Sequence, residues 1–168
     1  MNVLVTSASG AKGLVITRSL GKRNIDVINT DSERFSAAFF SRYSKGHFIT
    51  PSPVESPNEF INEILKYIKK NKIDVLMPVN STETLLISKH KDLFLPYTKI
   101  PFEDFPKMIK LHDKGEFIKV AEELNIPIPK TYTINDFNSI DKYAKIFTYP
   151  VVIKLKNIRH CASDYLIQ

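Results

Sequence analysis

Short apolar runs alternate with amphipathic helical segments along residues 2–87 of the chain. The runs at 2–6, 25–30, 47–50 and 74–79 contain mainly aliphatic and β-branched residues and end at polar residues or prolines, which is typical of buried strands. Helical periodicity follows in the segments between them. Because strands and helices alternate with short connections, the sequence predicts an α/β fold with a doubly wound, mainly parallel, Rossmann-like sheet.

The pattern changes in the last third of the chain. Asp113 and Glu116 form a predicted capping box, and the helix that they open ends before Pro127 and Pro129. Residues 130–133 can then begin a new sheet. We therefore predict a boundary near residue 112, between a Rossmann-like domain (1–112) and a small, incomplete α+β subdomain (113–168).

Composition excludes several classes of protein. No run approaches the ~20 apolar residues of a membrane span and no signal peptide is recognisable, so we expect a cytoplasmic protein without a membrane partner. A single cysteine, Cys161, and four histidines form no disulfide and no zinc-spaced cluster. The net charge is +6, but the one tight basic run, 69–72, ends a predicted helix, where cations complement the helix dipole. We expect no nucleic-acid partner, since no recognition motif accompanies the charge.

The loop after the first predicted strand contains glycines where dinucleotide-binding folds have them. Ala8 stands in the place of the first glycine, Gly10 and Gly13 follow, and Asp31 ends the second strand at a suitable distance. Such a loop can bring phosphates to a helix N-terminus. Equally, the glycines could only permit a tight turn and close packing, and Asp31 could only end a strand. A small anion, another substrate and NAD(P) all remain possible ligands at this point.

Polar residues also follow the fourth predicted strand. Asn80 and Glu83 can cap the next helix, which explains them without any ligand. They also lie at the carboxyl end of a parallel strand, where open α/β sheets bind ligands, and this makes them substrate-side candidates by position.

Two lysines suggest a phosphate site. Lys114 lies in the first turn of a predicted helix, where a cation opposes the helix dipole by ~0.3–1 kcal/mol unless an anion offsets it. Phosphate is an anion that such a site prefers. Lys154 ends the predicted strand that contains Val151–Ile153. Each lysine considered singly is also explained as a solvated surface residue.

Their shared context resembles a known family. Asp113-Lys114, then Leu124-x-Ile126-Pro127-x-Pro129-x-Thr131, then Tyr149-Pro150-Val151-Val152-Ile153-Lys154 resemble the beginning of the ATP-grasp domain of carboxylate-amine ligases. The branch of carbamoyl-phosphate synthase large subunit and biotin carboxylase looks most similar. Residues 1–112 resemble the pre-ATP-grasp domain that precedes it.

The resemblance implies an ATP-dependent ligase in which a carboxylate attacks the γ-phosphate and a nucleophile displaces the acyl phosphate. It implies that Lys114 and Lys154 contact the phosphates of ATP, and that a small-molecule carboxylate is a substrate. The residues that would face the non-nucleotide substrate are Ser7, Gly10, Gly13, Asp31, Asn80 and Glu83.

The chain also departs from the family pattern. After Lys154 the family has a glycine-rich loop, an adenine-binding hinge and acidic ligands for magnesium, whereas here the last glycine is Gly115. We therefore expect a split or truncated ligase that is not catalytic alone, that binds ATP weakly, and that binds Mg²⁺ only with the missing part. A complementary ATP-grasp polypeptide or a second copy should cover its exposed sheet edge.

Two other functions remain open. The chain can be a non-catalytic Rossmann-like module for a small ligand or a protein partner, or an NAD(P)-binding protein that uses the Ala8–Gly13 loop and Asp31. A nucleophilic role for Cys161 beside His160 is not expected, because adjacent residues seldom point together and a chain terminus seldom holds the required geometry.

Overall fold

The computed structural model describes residues 1–134 and 136–154. The described residues divide into two compact units, one from Met1 to Phe105 and one that begins at Pro106. This division lies N-terminal to the domain boundary predicted near residue 112. The predicted boundary concerns the extent of the homologous domains, and it stays a prediction. His160 and Cys161 lie outside the described residues.

The first unit contains a four-stranded, fully parallel sheet with strand order β3-β2-β1-β4. The isolated bridge between Val75 and Lys99 adds a short parallel segment beyond β4. The strands are β1 (Asn2–Val5), β2 (Asp26–Asp31), β3 (Ser44–Ile49) and β4 (Val75–Met77). The helices are α1 (Ala11–Gly21), α2 (Pro57–Lys70), α3 (Ser81–Lys89) and α4 (Lys91–Phe94). The prediction of a mainly parallel α/β sheet is confirmed.

Helices cover both faces of this sheet. On one face, Val3, Val5 and Val27 form a buried cluster on which Ile16 and Leu20 of α1 pack. Alternation along the strands directs Leu4 to the opposite face, where it is fully buried. On that face Phe48 of β3 stacks on Tyr67 of α2, with ring centroids 3.9 Å apart. The sheet is therefore doubly wound.

The third strand differs from its prediction. Residues 47–50 were expected to form a buried strand, but β3 begins at Ser44 and its side chains alternate between half-buried and exposed. The physical reason is its place at the edge of the sheet, because β2 is the one strand among the described residues that pairs with it.

Helix α2 forms without a side-chain cap. α2 begins at Pro57 and buries the apolar stripe Phe60, Ile61, Ile64 and Ile68. Ser56 precedes it, but its side chain makes no capping hydrogen bond. Burial of the stripe thus stabilises this helix without the serine.

The second unit is helical and irregular in its described part. It contains most of α5 (Phe105–His112), α6 (Lys114–Glu123), a 3-10 turn (Phe137–Ser139) and α7 (Ile140–Ala144). Tyr132 contacts the rings of Tyr143 and Phe147, with centroids 5.3 Å apart in both pairs. Residues 130–133 and 151–154 were predicted to be strands, and neither segment forms a strand here.

None of the helices in residues 1–134 and 136–154 has the length and apolar character needed to cross a bilayer.

Candidate functional site

Most of the predicted substrate-side residues meet at the carboxyl edge of the sheet. Thr6 and Ser7 directly follow β1, Asp31 ends β2, and Asn80 lies between β4 and α3. From β1 the chain proceeds through β2 to β3 on one side, and β4 lies on the other side of β1. The gap between β1 and β4 is therefore the point where the winding reverses, which is where open α/β sheets form ligand sites.

A hydrogen-bonded cluster occupies this point. The Thr6 hydroxyl donates to the Glu83 carboxylate, and the Ser7 side chain also hydrogen-bonds to that carboxylate. The Asn80 side-chain amide donates to Ser7 Oγ over 2.8 Å. Thr6, Ser7 and Glu83 are buried. The Ser7 backbone has a φ of 52°, in the left-handed region that a non-glycine residue adopts at a cost of ~1–2 kcal/mol. These contacts hold Ser7 in that conformation.

Glu83 is a carboxylate at the edge of the core. Burial is the main cause that raises its pKa, hydrogen bonds from Ser7, Thr6 and the Asn80 backbone lower it, and the negative charge of Asp31 raises it further. In residues 1–134 and 136–154, neither Glu83 nor Asp31 forms an ion pair with a lysine, arginine or histidine. The site therefore contains two carboxyl groups, neither of which is paired with a cationic side chain from the part of the chain that the structure describes.

Asp31 connects the loops that follow β1 and β2. One carboxylate oxygen accepts the Ser9 backbone N–H over 2.7 Å, and the other accepts the Glu33 backbone N–H over 3.0 Å. The residue is buried. Both carboxylate oxygens thus fasten the loops that follow β1 and β2 to each other.

The two glycines of the loop have different roles. A Cβ on Gly13 would lie 2.5 Å from the Ser7 carbonyl oxygen and 3.1 Å from the Ala8 Cα, so close packing of α1 on the loop requires glycine there. A Cβ on Gly10 would meet nothing nearer than 3.9 Å, and its φ of −78° suits any residue. Gly13 shapes the site, and Gly10 does not need to be glycine for steric reasons.

The capping explanation of Asn80 and Glu83 is half correct. Glu83 does accept the Asn80 backbone N–H, as a capping box requires. The Asn80 side chain, however, makes no capping bond to α3 and instead contacts Ser7. Both side chains are thus directed to the β1 loop, because the β4–α3 connection lies directly beside β1.

Thr6 and the Ser9 backbone belong to the site, although neither residue was singled out from the sequence. Thr6 ends the first predicted strand, and Ser9 stands between Ala8 and Gly10 in the loop. A polar residue at the end of a buried strand is the signal that identifies Thr6. Ser9 contributes only its backbone N–H, so its side chain carries no signal.

The two lysines lie in the second unit, and the described contacts do not bring them together. Lys114 is the first residue of α6, and Asp113 caps this helix by accepting the N–H groups of Gly115 and Glu116 over 2.8 and 3.0 Å. The Asp113 carboxylate thus takes the place at the helix N-terminus that a phosphate could have occupied. Lys154 is exposed, and in the described part of the chain neither lysine forms an ion pair.

Comparison with known proteins supplies the family context. The D-aspartate ligase of Enterococcus faecium is 28% identical over 95 residues, which are 55% of this chain and 23% of that ligase. The structure of an L-amino acid ligase from Bacillus licheniformis superposes with a TM-score of 0.60 at 10% identity, covering 76% of this chain and 30% of that one. N5-carboxyaminoimidazole synthetase from Staphylococcus aureus, complexed with ADP, superposes with a TM-score of 0.61 at 13% identity, covering 89% and 36%.

These structural neighbours are ATP-grasp carboxylate-amine ligases. They confirm the resemblance inferred from the sequence, and the parallel sheet matches their Rossmann-like pre-ATP-grasp part. No family model matches the chain. The chain spans 23% of the matched D-aspartate ligase and about a third of the two matched structures.

Proposed function

We propose that these residues form the substrate-side domain and the beginning of the nucleotide-binding domain of an ATP-dependent carboxylate-amine ligase. The reaction would activate a small carboxylate as an acyl phosphate, which an amine then attacks. The observation that carries the proposal is the hydrogen-bonded cluster of buried Thr6, Ser7 and Glu83 with exposed Asn80, at the reversal point of a sheet that matches such ligases.

The electrostatics of this cluster favour the amine substrate over a phosphate. Burial is the main cause that raises the pKa of Glu83, and the negative charge of Asp31 adds to it; no lysine, arginine or histidine in the described residues forms an ion pair with either carboxyl group. An ammonium group would relieve the repulsion between these carboxyl groups, whereas a phosphate would add to it. Ser7 and Asn80 hold the loop against Glu83 and can orient the substrate.

The nucleotide belongs to the second unit in this proposal. Lys114 and Lys154 would contact the phosphates of ATP as fixed cations that offset the charge developing on the transferred phosphoryl group. ATP itself supplies the phosphoryl group that activates the carboxylate. That the two side chains are not engaged in ion pairs within the described part supports this role.

We further propose that these 168 residues do not catalyse alone and are carbamoyl-phosphate synthase-like in organisation. Sequence after Lys154 contains no glycine, and the described residues group no three His, Cys, Asp or Glu side chains as metal ligands. We propose that Mg²⁺ is bound only once further ATP-grasp residues complete the nucleotide site, with a complementary ATP-grasp polypeptide or a second copy as a partner. We propose the cytoplasm as the location.

Calorimetric titration of Mg-ATP tests the nucleotide role. We expect weak binding to the wild-type chain that is lost in Lys114→Ala and in Lys154→Ala. The matched control is Lys110→Ala, which removes an exposed cation from α5 in the same unit and should leave binding unchanged. Equal binding by all four proteins, or no ATP binding by any of them, would contradict the assignment of the two lysines.

A further inference from the structure

An open groove runs along the outer side of α2. Its volume is about 440 Å³, and its lining residues are Asn62, Leu65, Lys66, Lys69 and Lys70. These positions are three and four residues apart, so their side chains share one face of the helix. The stripe that α2 buries consists of other residues, namely Phe60, Ile61, Ile64 and Ile68. The helix therefore presents a second stripe to solvent, and we name the space along it the α2 groove.

The α2 groove is positively charged. Three of its five lining residues are exposed lysines, and none is acidic. The Lys66 ammonium lies 3.4 Å from the carboxylate of Glu63 on the same helix. Lys69 and Lys70 form no ion pair with any residue that the structure describes. Two further exposed charges of opposite sign belong to this stretch without lining the groove, Glu59 and Lys72. The groove thus retains uncompensated positive charge.

The helix dipole explains only part of this charge. Lysines in the last turn of a helix complement its negative end by ~0.3–1 kcal/mol each, and Lys69 and Lys70 lie there. That effect accounts neither for Lys66, one turn earlier, nor for the half-buried Leu65 among the cations. The Lys69 ammonium also lies 5.1 Å from the centroid of the Tyr97 ring, which favours its position beside the groove. The groove therefore combines oriented cations with an apolar floor.

The α2 groove lies away from the substrate-side cluster. Lys70 ends α2 and Val75 begins β4, so the basic end of the helix lies near the amino end of that strand. The Lys72 carbonyl accepts a hydrogen bond from the side-chain amide of Asn2, at the start of β1, over 2.7 Å. The substrate-side cluster follows the carboxyl ends of the same two strands. A partner bound in the groove would therefore leave the cluster accessible.

We propose that the α2 groove docks an acidic segment of another protein, in which carboxylate side chains flank an apolar one. The carboxylates face Lys66, Lys69 and Lys70, and the apolar side chain packs on Leu65. Charge complementarity favours this occupant over a second copy, because each copy has a net charge of +6 and the copies repel each other. A uniformly charged phosphate backbone would also meet Glu63, whereas a peptide can place its carboxylates at the lysines. Docking of this kind requires neither ATP nor ligase activity.

Fluorescence anisotropy tests this docking with a short fluorescein-labelled peptide of glutamate and leucine, titrated with the full chain. We expect saturable binding that Lys69→Gln/Lys70→Gln weakens about fivefold or more. The matched control is Lys12→Gln/Lys22→Gln, which removes two exposed lysines in and directly after α1. Because this control lowers the net charge equally, it should bind the peptide as the wild-type chain does. Unaltered thermal unfolding of the variants would show that they are folded.

The apolar floor provides a second readout. Leu65→Ser, checked for folding in the same way, should weaken peptide binding about threefold or more, since it removes apolar contact and no charge. Unchanged binding by folded Leu65→Ser would overturn the proposal, as would absence of binding by the wild-type chain or equal weakening in the two lysine variants. Tighter binding of duplex DNA or phosphatidylserine vesicles than of the peptide, lost in Lys69→Gln/Lys70→Gln, would also overturn it, because the occupant would then be a nucleic acid or a membrane.

Discussion

The substrate-side cluster of the first unit and the two lysines of the second differ in how far the described structure organises them. Glu83 is buried and accepts hydrogen bonds from two hydroxyl groups and a backbone N–H, and Asp31 holds the neighbouring loop. Lys154 is exposed in a segment without strand structure, and Lys114 lies on a helix whose N-terminus Asp113 already caps. The first site is preformed, whereas the second is a pair of cations.

This difference shows what a parallel sheet contributes to a site. Strand pairing brings the ends of β1, β2 and β4 to one edge and fixes their side chains together, although they are distant in sequence. No ladder in the described residues fixes the segment that contains Lys154. Substitutions in the first site should therefore change stability, and substitutions of the lysines should not.

The largest effect is expected at Gly13. In Gly13→Ala the new Cβ must displace the Ser7 carbonyl or move α1, and we expect a loss of up to about 3 kcal/mol in the free energy of unfolding. Gly10→Ala is the matched control, because its Cβ meets nothing closer than 3.9 Å. Urea denaturation measures both. Equal stability of the two variants would show that the loop does not require glycine at position 13.

Removal of the buried carboxylate should have the next largest effect. Glu83→Ala leaves the Thr6 and Ser7 hydroxyl groups and the Asn80 N–H without their acceptor, which should cost about 2 kcal/mol of unfolding free energy. Glu83→Gln retains an acceptor oxygen and should lose less. If the alanine variant were as stable as the wild-type protein, the cluster would not hold the loop in place.

The same residue predicts a pH dependence. The pKa of Glu83 is raised in the folded state, so the protonated form is favoured there, and its contribution to stability is present below the unfolded pKa. That contribution is lost as the pH rises through the folded pKa. Relative to Glu83→Gln, the wild-type protein should therefore become less stable as the pH increases from about 4 towards neutrality. Denaturation of both proteins across this range measures the difference, and a parallel pair of curves would contradict it.

Loss of the Asp31 side chain should destabilise the protein less than loss of Glu83, but more than loss of an acidic side chain on the surface. Asp31→Ala leaves the Ser9 and Glu33 N–H groups without their acceptor, at a cost of about 1–2 kcal/mol. The control is Asp26→Ala, because Asp26 forms an exposed 3.7 Å ion pair with Lys45 whose loss should cost under about 0.5 kcal/mol. Comparable losses in the two variants would mean that Asp31 does not secure the loop.

The smallest change in stability is expected for Lys114→Ala. The lysine is not engaged in an ion pair within the described residues. The free energy of unfolding, measured by thermal denaturation, should therefore change by no more than about 0.5 kcal/mol. A large destabilisation would assign Lys114 a structural role and remove the contrast between the two regions.

Local sequence signals predicted the elements better than the contacts between them. Apolar runs and periodicity placed β1, β2, β4 and α2 within a few residues, because burial determines these elements. The edge position of β3 was missed, since pairing order is not written in a single strand. The strands predicted at 130–133 and 151–154 contain β-favouring residues, but a strand needs a partner, and the described residues provide none.

The site could be predicted as a place but not as a set of bonds. Position at strand ends indicated Asp31, Asn80 and Glu83, since the carboxyl ends of parallel strands share one edge, whereas Ser7 was implied only by the family resemblance. That Asn80 would contact Ser7, and that Asp31 would hold the Ser9 N–H, depends on loop conformations that include a left-handed residue at Ser7. The different requirements at Gly10 and Gly13 likewise follow only from the approach of α1 to the loop.

Matched titrations of Mg-ATP and NADH into the wild-type chain and Asp31→Asn test the central claim most directly. If the first unit contacts the ligase substrate and the two lysines of the second unit contact the ATP phosphates, we expect weak ATP binding that Asp31→Asn leaves unchanged. We expect no NADH binding by either protein. Micromolar NADH binding that Asp31→Asn abolishes, with no ATP binding, would contradict the account and assign the β1 loop to a dinucleotide.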